Sequence, residues 1–416
     1  MKTNKISVYI HIPFCESRCH YCDFCSSLLN EENVKKYFEY LKKEINLQED
    51  FLKDKIIDTV FIGGGTPSSV DSKYIKEIME ELSKFKFSKN KEITIESNPN
   101  SLTREKAEAY FSSGINRISI GAQSFNENIL KRIGRIHKKD DIYKAIENAR
   151  SAGFDNINLD LMLALPDQKF SDIEESIKEI KKLNLPHISY YSLILEENTK
   201  LYLEHQKSPL AFPTEDEDRK MYHYVVSELS KLGLKQYEIS NFAKESYECR
   251  HNMTYWKLRD YISFGLSASS NIGNKRYTNY YSFKDYYEAL DRGKNPIVFS
   301  ENLTKTDRMN EFIMMGLRLN SGVDLIEFEE IFKEDFLKIY ERQIEKNLKT
   351  NLILLDSNNI RLTDKGRDLS NQVELDFFRW NKKIRGRKIS TSFSLFKKIK
   401  RETFPGKFLL ASDFAV

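Results

Sequence analysis

YIHIPFCESRCHYCDFC, residues 9–25, carries a short apolar strand pattern straight into a loop that holds four of the chain's five cysteines. Five thiols in 416 residues do not make a disulfide scaffold. In a reducing compartment so tight a group reads first as a metal site. Cys15, Cys19 and Cys22 form C-x3-C-x2-C. Four ligands saturate a [4Fe–4S] cube, so three cysteines leave one iron open to the amine and carboxylate of a bound molecule. The competing reading is structural zinc, closed by Cys25 or His20 as fourth ligand. The spacing, its place directly after a strand, and the glycine-rich turn downstream favour the cluster.

Outward from this stretch, short apolar runs alternate with longer amphipathic ones. Strands are expected at 6–12, 58–64, 92–98, 116–122, 156–162 and 187–193. Helices are expected at 34–47, 74–85, 104–114, 140–153 and 173–183, with Gly114 and Gly153 where C-caps fall. Six β-then-α repeats imply an α/β fold with a parallel sheet and outer helices, either doubly wound or an open barrel. In both, ligands gather at the carboxyl ends of the strands. The informative residues follow that rule. The cysteines come after strand one, GGGTP (63–67) after strand two, Glu96 ends strand three, Gln123 follows strand four, and Asp160 lies late in strand five.

CESRCHYC, GGGTP and these strand-end residues together resemble the radical S-adenosylmethionine (SAM) superfamily. The resemblance implies a partial (β/α)6 barrel in which the open iron of a [4Fe–4S] cluster on Cys15, Cys19 and Cys22 chelates the methionine part of SAM. Gly64 and Gly65 would let backbone approach the methionine amine, with the Thr66 hydroxyl beside it. Glu96 and Asp160 suit ribose hydroxyls or the positive sulfonium. Gln123 can donate and accept toward ribose or adenine. Arg135 can hold a carboxylate in a bidentate pair. Tyr9 and Tyr21 flank the cluster and can pack on SAM. Read singly, each has a plainer structural role as turn, cap, core or surface residue; the shared rim is what unites them.

To about residue 380 the chain is similar to the oxygen-independent coproporphyrinogen III oxidase family, through YIHIPFC, FIGGGTPS, IESNP, RISIGAQSFN, LKRIGRIH, NLDLMLALPDQ and YEISNFAK in order. Within it the likeness is nearer to the HemW-type haem-chaperone branch. The oxidase pattern C-x3-C-x2-C-x-C is absent, since Asp23 and Phe24 precede Cys25, and only 14 residues precede Cys15. HNMTYW (251–256) resembles the haem-associated H-N-x-x-Y-W element. It implies haem on His251, an imidazole expected on a mobile connector, with Cys249 a less favoured second contact. One departure is Gly265-Leu-Ser-Ala-Ser (265–269), where chaperone-like relatives read G-x-G-A-H. The function so implied is a haem chaperone that passes haem to an accepting protein, membrane-associated acceptors included. The alternatives are the oxidase itself, a decarboxylating enzyme that attacks two propionate side chains, and a zinc-stabilised binding module.

The expected organisation is a core domain at 1–237, a connector at 238–300, a mostly helical, winged-helix-like domain at 301–380, and a basic extension at 381–416. The net charge of +4 gives no warrant for nucleic-acid binding. The basic excess lies at 382–401 and reads as a solvated tail or a surface for an anionic partner. The start of the sequence is too polar for a signal peptide, so a cytoplasmic chain is expected.

Overall fold

The computed structural model describes residues 4–379; the basic extension lies outside the described residues. The six expected strands form as β1 (Lys5–Ile12), β2 (Ile56–Gly64), β3 (Lys86–Ser97), β4 (Arg117–Gln123), β5 (Asn156–Leu163) and β6 (His187–Ser192). They pair in parallel in that order. Helices α1 (Glu31–Leu47), α2 (Ser72–Leu82), α3 (Arg104–Ser112), α4 (Lys139–Ala152) and α5 (Phe170–Leu183) connect them, and α6 (Glu215–Lys231) follows β6. Gly153 caps α4 at φ +105°, as expected. The α3 cap is Ser113, one residue before Gly114.

Strand geometry sorts the side chains into two faces. Ile6, Val8, Ile10 and Ile12 of β1 pack in the main core with Val34, Phe38 and Leu41 of α1. Ile118 and Ile120 of β4, and Leu159 and Leu161 of β5, repeat the pattern. Each such fully buried aliphatic side chain contributes about 1.5–3 kcal/mol. The opposite face, turned into the curve of the sheet, is polar: Ser7, Thr59, Glu92, Thr94, Arg117, Ser119, Asn158, Asp160, His187 and Ser189 are all buried.

The stretch expected as a connector is instead part of the sheet. β7 (Lys235–Gln236) and β8 (Asn241–Ala243) extend it antiparallel beyond β6. Helix α7 (Arg250–Trp256) then leads to β9 (Tyr261–Phe264), which lies parallel to β1 on its other edge. β10 (Ser269–Ile272), β11 (Lys275–Asn279) and β12 (Ile297–Asn302) continue antiparallel from there. The result is one twelve-stranded sheet in the order β12-β11-β10-β9-β1-β2-β3-β4-β5-β6-β8-β7. Short strands paired to partners far away in sequence leave no local signature.

The C-terminal domain carries its own core, with Phe312, Phe328, Phe336, Tyr340 and Phe377 at its centre. Helix α8 (Lys305–Leu317) precedes a three-stranded antiparallel sheet of Val323–Asp324, Asn359–Leu362 and Ile353–Leu355. The last two strands form a hairpin within NLILLDSNNIRLTDKG, residues 351–366. The domain docks on the barrel where Trp256 of α7 meets Met314, Met315 and Leu319. Among the described residues no helix is long and apolar enough to cross a membrane.

Two outcomes follow from this architecture. Ser267 sits at φ +58°. A left-handed conformation strains a residue with a Cβ by about 1–2 kcal/mol, so Ser267→Gly should raise unfolding free energy by ~1 kcal/mol in a urea melt. Glu238 is fully buried against the C-terminal domain, and burial lifts its carboxyl from 4.5 to about 7 against the pull of Asn241, Ser240 and Arg318. The stability this protonated group lends is present below about 4.5 and lost as pH rises through about 7. Glu238→Gln should therefore flatten the fall in melting temperature between pH 5 and pH 8; parallel curves for the two proteins would refute the assignment.

Candidate functional site

The cysteine loop is fixed at its base by backbone. Phe14–Cys15 pairs in parallel with Ser27–Leu28. The glycine turn docks on the same base: Gly65 N–H donates to the Ile12 carbonyl and Thr66 N–H to the Phe14 carbonyl, both at 2.8 Å. A Cβ on Gly65 would lie 2.8 Å from the Phe14 carbonyl oxygen and 3.0 Å from Cys15 Sγ. Gly64 has φ +116°, and a Cβ there would lie 2.6 Å from the His11 ring. The first requirement for glycine is thus protein packing against the cysteine loop. His11 is itself anchored, its Nε2–H donating to the Cys25 carbonyl at 2.8 Å and its Nδ1 facing the Tyr9 hydroxyl at 3.1 Å.

Above this base, one cavity of about 570 Å³, mouth included, opens at the carboxyl ends of β2 to β5. Cys15, Cys19, Cys22 and Tyr21 line it from the loop, and Gly64, Gly65 and Thr66 from the turn. Glu96, Gln123, Arg135 and Asp160 complete the wall. Every residue expected at the cluster and at SAM is therefore here except Tyr9, whose ring stacks on Phe61 away from the cavity.

The wall is held in place by hydrogen bonds. Gly64 N–H donates to Glu96 Oε2 at 3.1 Å. Ser119 donates to Asp160 Oδ2 at 2.9 Å and Asn158 to Asp160 Oδ1 at 2.6 Å. Tyr191 donates to Gln123 Oε1 at 2.8 Å. Gln123 occupies φ +63° at a break in the β4–β5 register, a strained position of the kind that collects at functional sites. Arg135 differs from its expected role. Its terminal nitrogens donate to Cys19 Sγ at 3.5 Å, to Asn98 Oδ1 at 2.8 Å and to the Gly121 carbonyl, so it clamps the cysteine loop to β3 and β4 rather than standing free for a bidentate pair.

The charges are poised for a ligand. Burial, with the Asp160 charge second, drives the Glu96 carboxyl well above the usual range, and burial lifts Asp160 against its three hydrogen-bond donors. Burial raises the Cys15 thiol, and burial with Cys19 beside it pushes Cys22 up to about 12. These are neutral thiols that a metal would have to deprotonate. The Tyr21 hydroxyl, Ser97 Oγ and Arg135 Nε are buried in this wall with no partner among the described residues. Three thiols on the rim, paired carboxylates and three unanswered polar atoms fit a thiolate-held cluster and a polar, positively charged ligand.

The same residues fit zinc poorly. Zinc needs donors gathered within about 2.0–2.3 Å of one point. Among the described residues no three His, Cys, Asp or Glu side chains gather to hold a single ion. Cys25 turns its thiol to the Tyr281 carbonyl at 3.7 Å, and His20 Nδ1 meets the Arg132 carbonyl at 3.1 Å.

His251 lies elsewhere. It is on α7 at the opposite end of the strands, not on a mobile connector, and is fully buried. Nδ1 is 2.7 Å from Thr59 Oγ1 and Nε2 is 2.7 Å from the Tyr255 hydroxyl. Burial, then Arg117, pulls its pKa down to about 3, so the ring is neutral. Cys249 is equally buried. An iron ligand needs a free nitrogen and space for a porphyrin, and His251 in this arrangement has neither.

Asn98 was not singled out from sequence, although IESNP contains it. Its side chain joins Thr66 Oγ1 at 3.1 Å to Arg135, linking turn and clamp. Ser119, within RISIGAQSFN, was passed over in the same way.

Residues 9–180 match the radical SAM superfamily, and residues 303–369 match the HemN C-terminal domain. Heme chaperone HemW of Lactococcus lactis is 36% identical over 368 residues, covering 88% of this chain and 96% of that protein. Heme chaperone HemW of Bacillus subtilis is 36% identical over 369 residues, 88% and 97% of the two chains. The Escherichia coli protein of the same name is 32% identical over 339 residues, 79% and 86%. Among solved structures, coproporphyrinogen III oxidase (HemN) from Escherichia coli superposes with a TM-score of 0.80 at 22% identity over 92% of each chain, a likeness of fold.

Gly65→Ala tests the base of the site. The added methyl meets backbone on one side and Cys15 on the other, so about 1–3 kcal/mol of stability should be lost. Iron and sulfide per chain after anaerobic reconstitution should fall with it, while Gly114→Ala, whose Cβ meets no neighbour and costs only the backbone strain of φ +86°, should leave iron content unchanged.

Proposed function

Because this chain belongs to the HemW family of heme chaperones within the radical SAM superfamily, we propose that it binds haem and passes it to an acceptor protein, while holding a [4Fe–4S] cluster and SAM. What supports the cofactor half of this reading is the convergence of the expected cluster and SAM residues, Tyr9 apart, on one cavity. Cys15, Cys19 and Cys22 would hold the cluster, whose open iron, when loaded, supplies a site for the amine and carboxylate of SAM and a source of one electron. Glu96 and Asp160 would answer the sulfonium and ribose, and Gln123 the ribose or adenine. Arg135 keeps Cys19 at the rim.

The haem half rests on family membership and on the HNMTYW element, with His251 as the iron contact. The acceptor is a haem-binding protein, in membranes or in solution, and the cytoplasm is the compartment in which this cysteine loop would stay reduced. The oxidase reading has the fold likeness and the match to the HemN C-terminal domain behind it, and the cysteine spacing CESRCHYCDFC argues against it.

Anaerobic titration of cluster-loaded protein with haem, with and without SAM, tests the whole. Saturable haem uptake, followed by transfer to an apo-haemoprotein or to membranes, is expected, and His251→Ala should abolish the uptake. Conversion of coproporphyrinogen III with release of carbon dioxide would replace the chaperone reading with the oxidase one.

A further inference from the structure

Asn98 directly follows β3 in IESNP, and its place is set by backbone. A residue before proline is confined to extended geometry, and Pro99 comes next. The Asn98 N–H donates to Ser68 Oγ at 3.0 Å, and its carbonyl accepts the N–H groups of Ser101 and Leu102. The side chain is left in the cavity wall, between the cysteine loop and the glycine turn.

From there it reaches two of the three cluster thiols at one remove. A guanidinium has donors only, so the amide oxygen must face Arg135, and Oδ1 accepts from it at 2.8 Å. The other terminal nitrogen of Arg135 donates to Cys19 Sγ at 3.5 Å. The amide nitrogen then faces Thr66 and donates to its hydroxyl oxygen at 3.1 Å. With that oxygen accepting, the one hydroxyl hydrogen is directed at Cys15 Sγ, 3.6 Å away. Cys22 takes the backbone N–H of Phe24 instead. Hydrogen bonds to sulfur strengthen when a thiol becomes a thiolate, and they are one of the levers on the reduction potential of an iron–sulfur cluster. A donor at sulfur stabilises the electron that reduction adds, and so raises the potential.

We propose that Asn98 is a positioning residue for the cluster: its single amide, donating on one side and accepting on the other, holds one hydrogen-bond donor on Cys15 and a second on Cys19, and so keeps the cluster easier to reduce. Aspartate cannot do both. It would accept from Arg135, but it would also draw the Thr66 hydrogen to itself and away from Cys15. The inference rests on the reading of Cys15, Cys19 and Cys22 as cluster ligands, and its test separates the two.

Anaerobic redox titration of the reconstituted full chain, followed by EPR of the reduced cluster, reads the effect, with iron and sulfide measured on the same samples. Asn98→Asp, which keeps the shape of the side chain, should hold wild-type iron and sulfide. Its midpoint should fall by about 59 mV, a tenfold change in a one-electron constant. Thr66→Val should shift in the same direction, and Thr66→Ser, which keeps the hydroxyl, should stay at the wild-type midpoint. A fall in Asn98→Asp alone would be an effect of its added charge and would overturn the inference. So would an unchanged midpoint in both variants, or loss of iron from Asn98→Asp. Wild-type protein that takes up no [4Fe–4S] cluster would overturn the reading of the three cysteines as well.

Discussion

A parallel sheet that curls on itself must place every second side chain inside the curve, and here those side chains are polar. An unpaired polar group in such a place costs about 1–3 kcal/mol, so the interior has to be a network. Asn158 is its hub. Its amide donates to Ser119 and Asp160, and its carbonyl oxygen accepts from Ser189 at 3.2 Å and meets His187 Nδ1 at 2.6 Å. His187 Nε2 reaches the Tyr237 hydroxyl at 2.9 Å, which in turn accepts the N–H of Cys249 at 3.2 Å. One continuous chain of hydrogen bonds thus runs from the Asp160 wall of the cavity to the start of α7.

The two ends of this interior are finished differently. The lower end is closed by α7, where Glu92 meets the first N–H groups and Thr59 and Tyr255 meet the His251 ring, while Asn252 Oδ1 and Trp256 Nε1 have no partner among the described residues. The upper end is left with two hydroxyls and a guanidinium nitrogen unmet, those of Tyr21, Ser97 and Arg135, and with two carboxyls that burial lifts, the Asp160 charge adding to the rise of Glu96. A cation set between Glu96 and Asp160 would relieve that repulsion. The carboxyl end joins buried, raised carboxyls to an open cavity, and it is there that a cationic ligand gains most.

What was legible in the residues was local. The strand runs, the β-then-α rhythm, the cap at Gly153 and the turn GGGTP all have short-range physical causes, and the cavity assembled from them with the expected residues in its wall. What was not legible was long-range. β9 pairs with β1 across some two hundred and fifty residues, Ser7 opposite Tyr261, and nothing within Tyr261–Phe264 declares a partner. The same holds for single side chains. Arg135 reads as a free cation until its neighbours Cys19 and Asn98 are in view, Tyr9 until Phe61 covers it, and His251 as an exposed imidazole until Thr59 and Tyr255 are placed on its two nitrogens.

Trp256 ends α7 and is 2% exposed, covered largely by side chains from beyond residue 300. The barrel floor and the C-terminal core consequently share a wall, seven residues thick along the chain. Loss of the C-terminal core would strip the cover from this indole and expose apolar surface on the barrel floor.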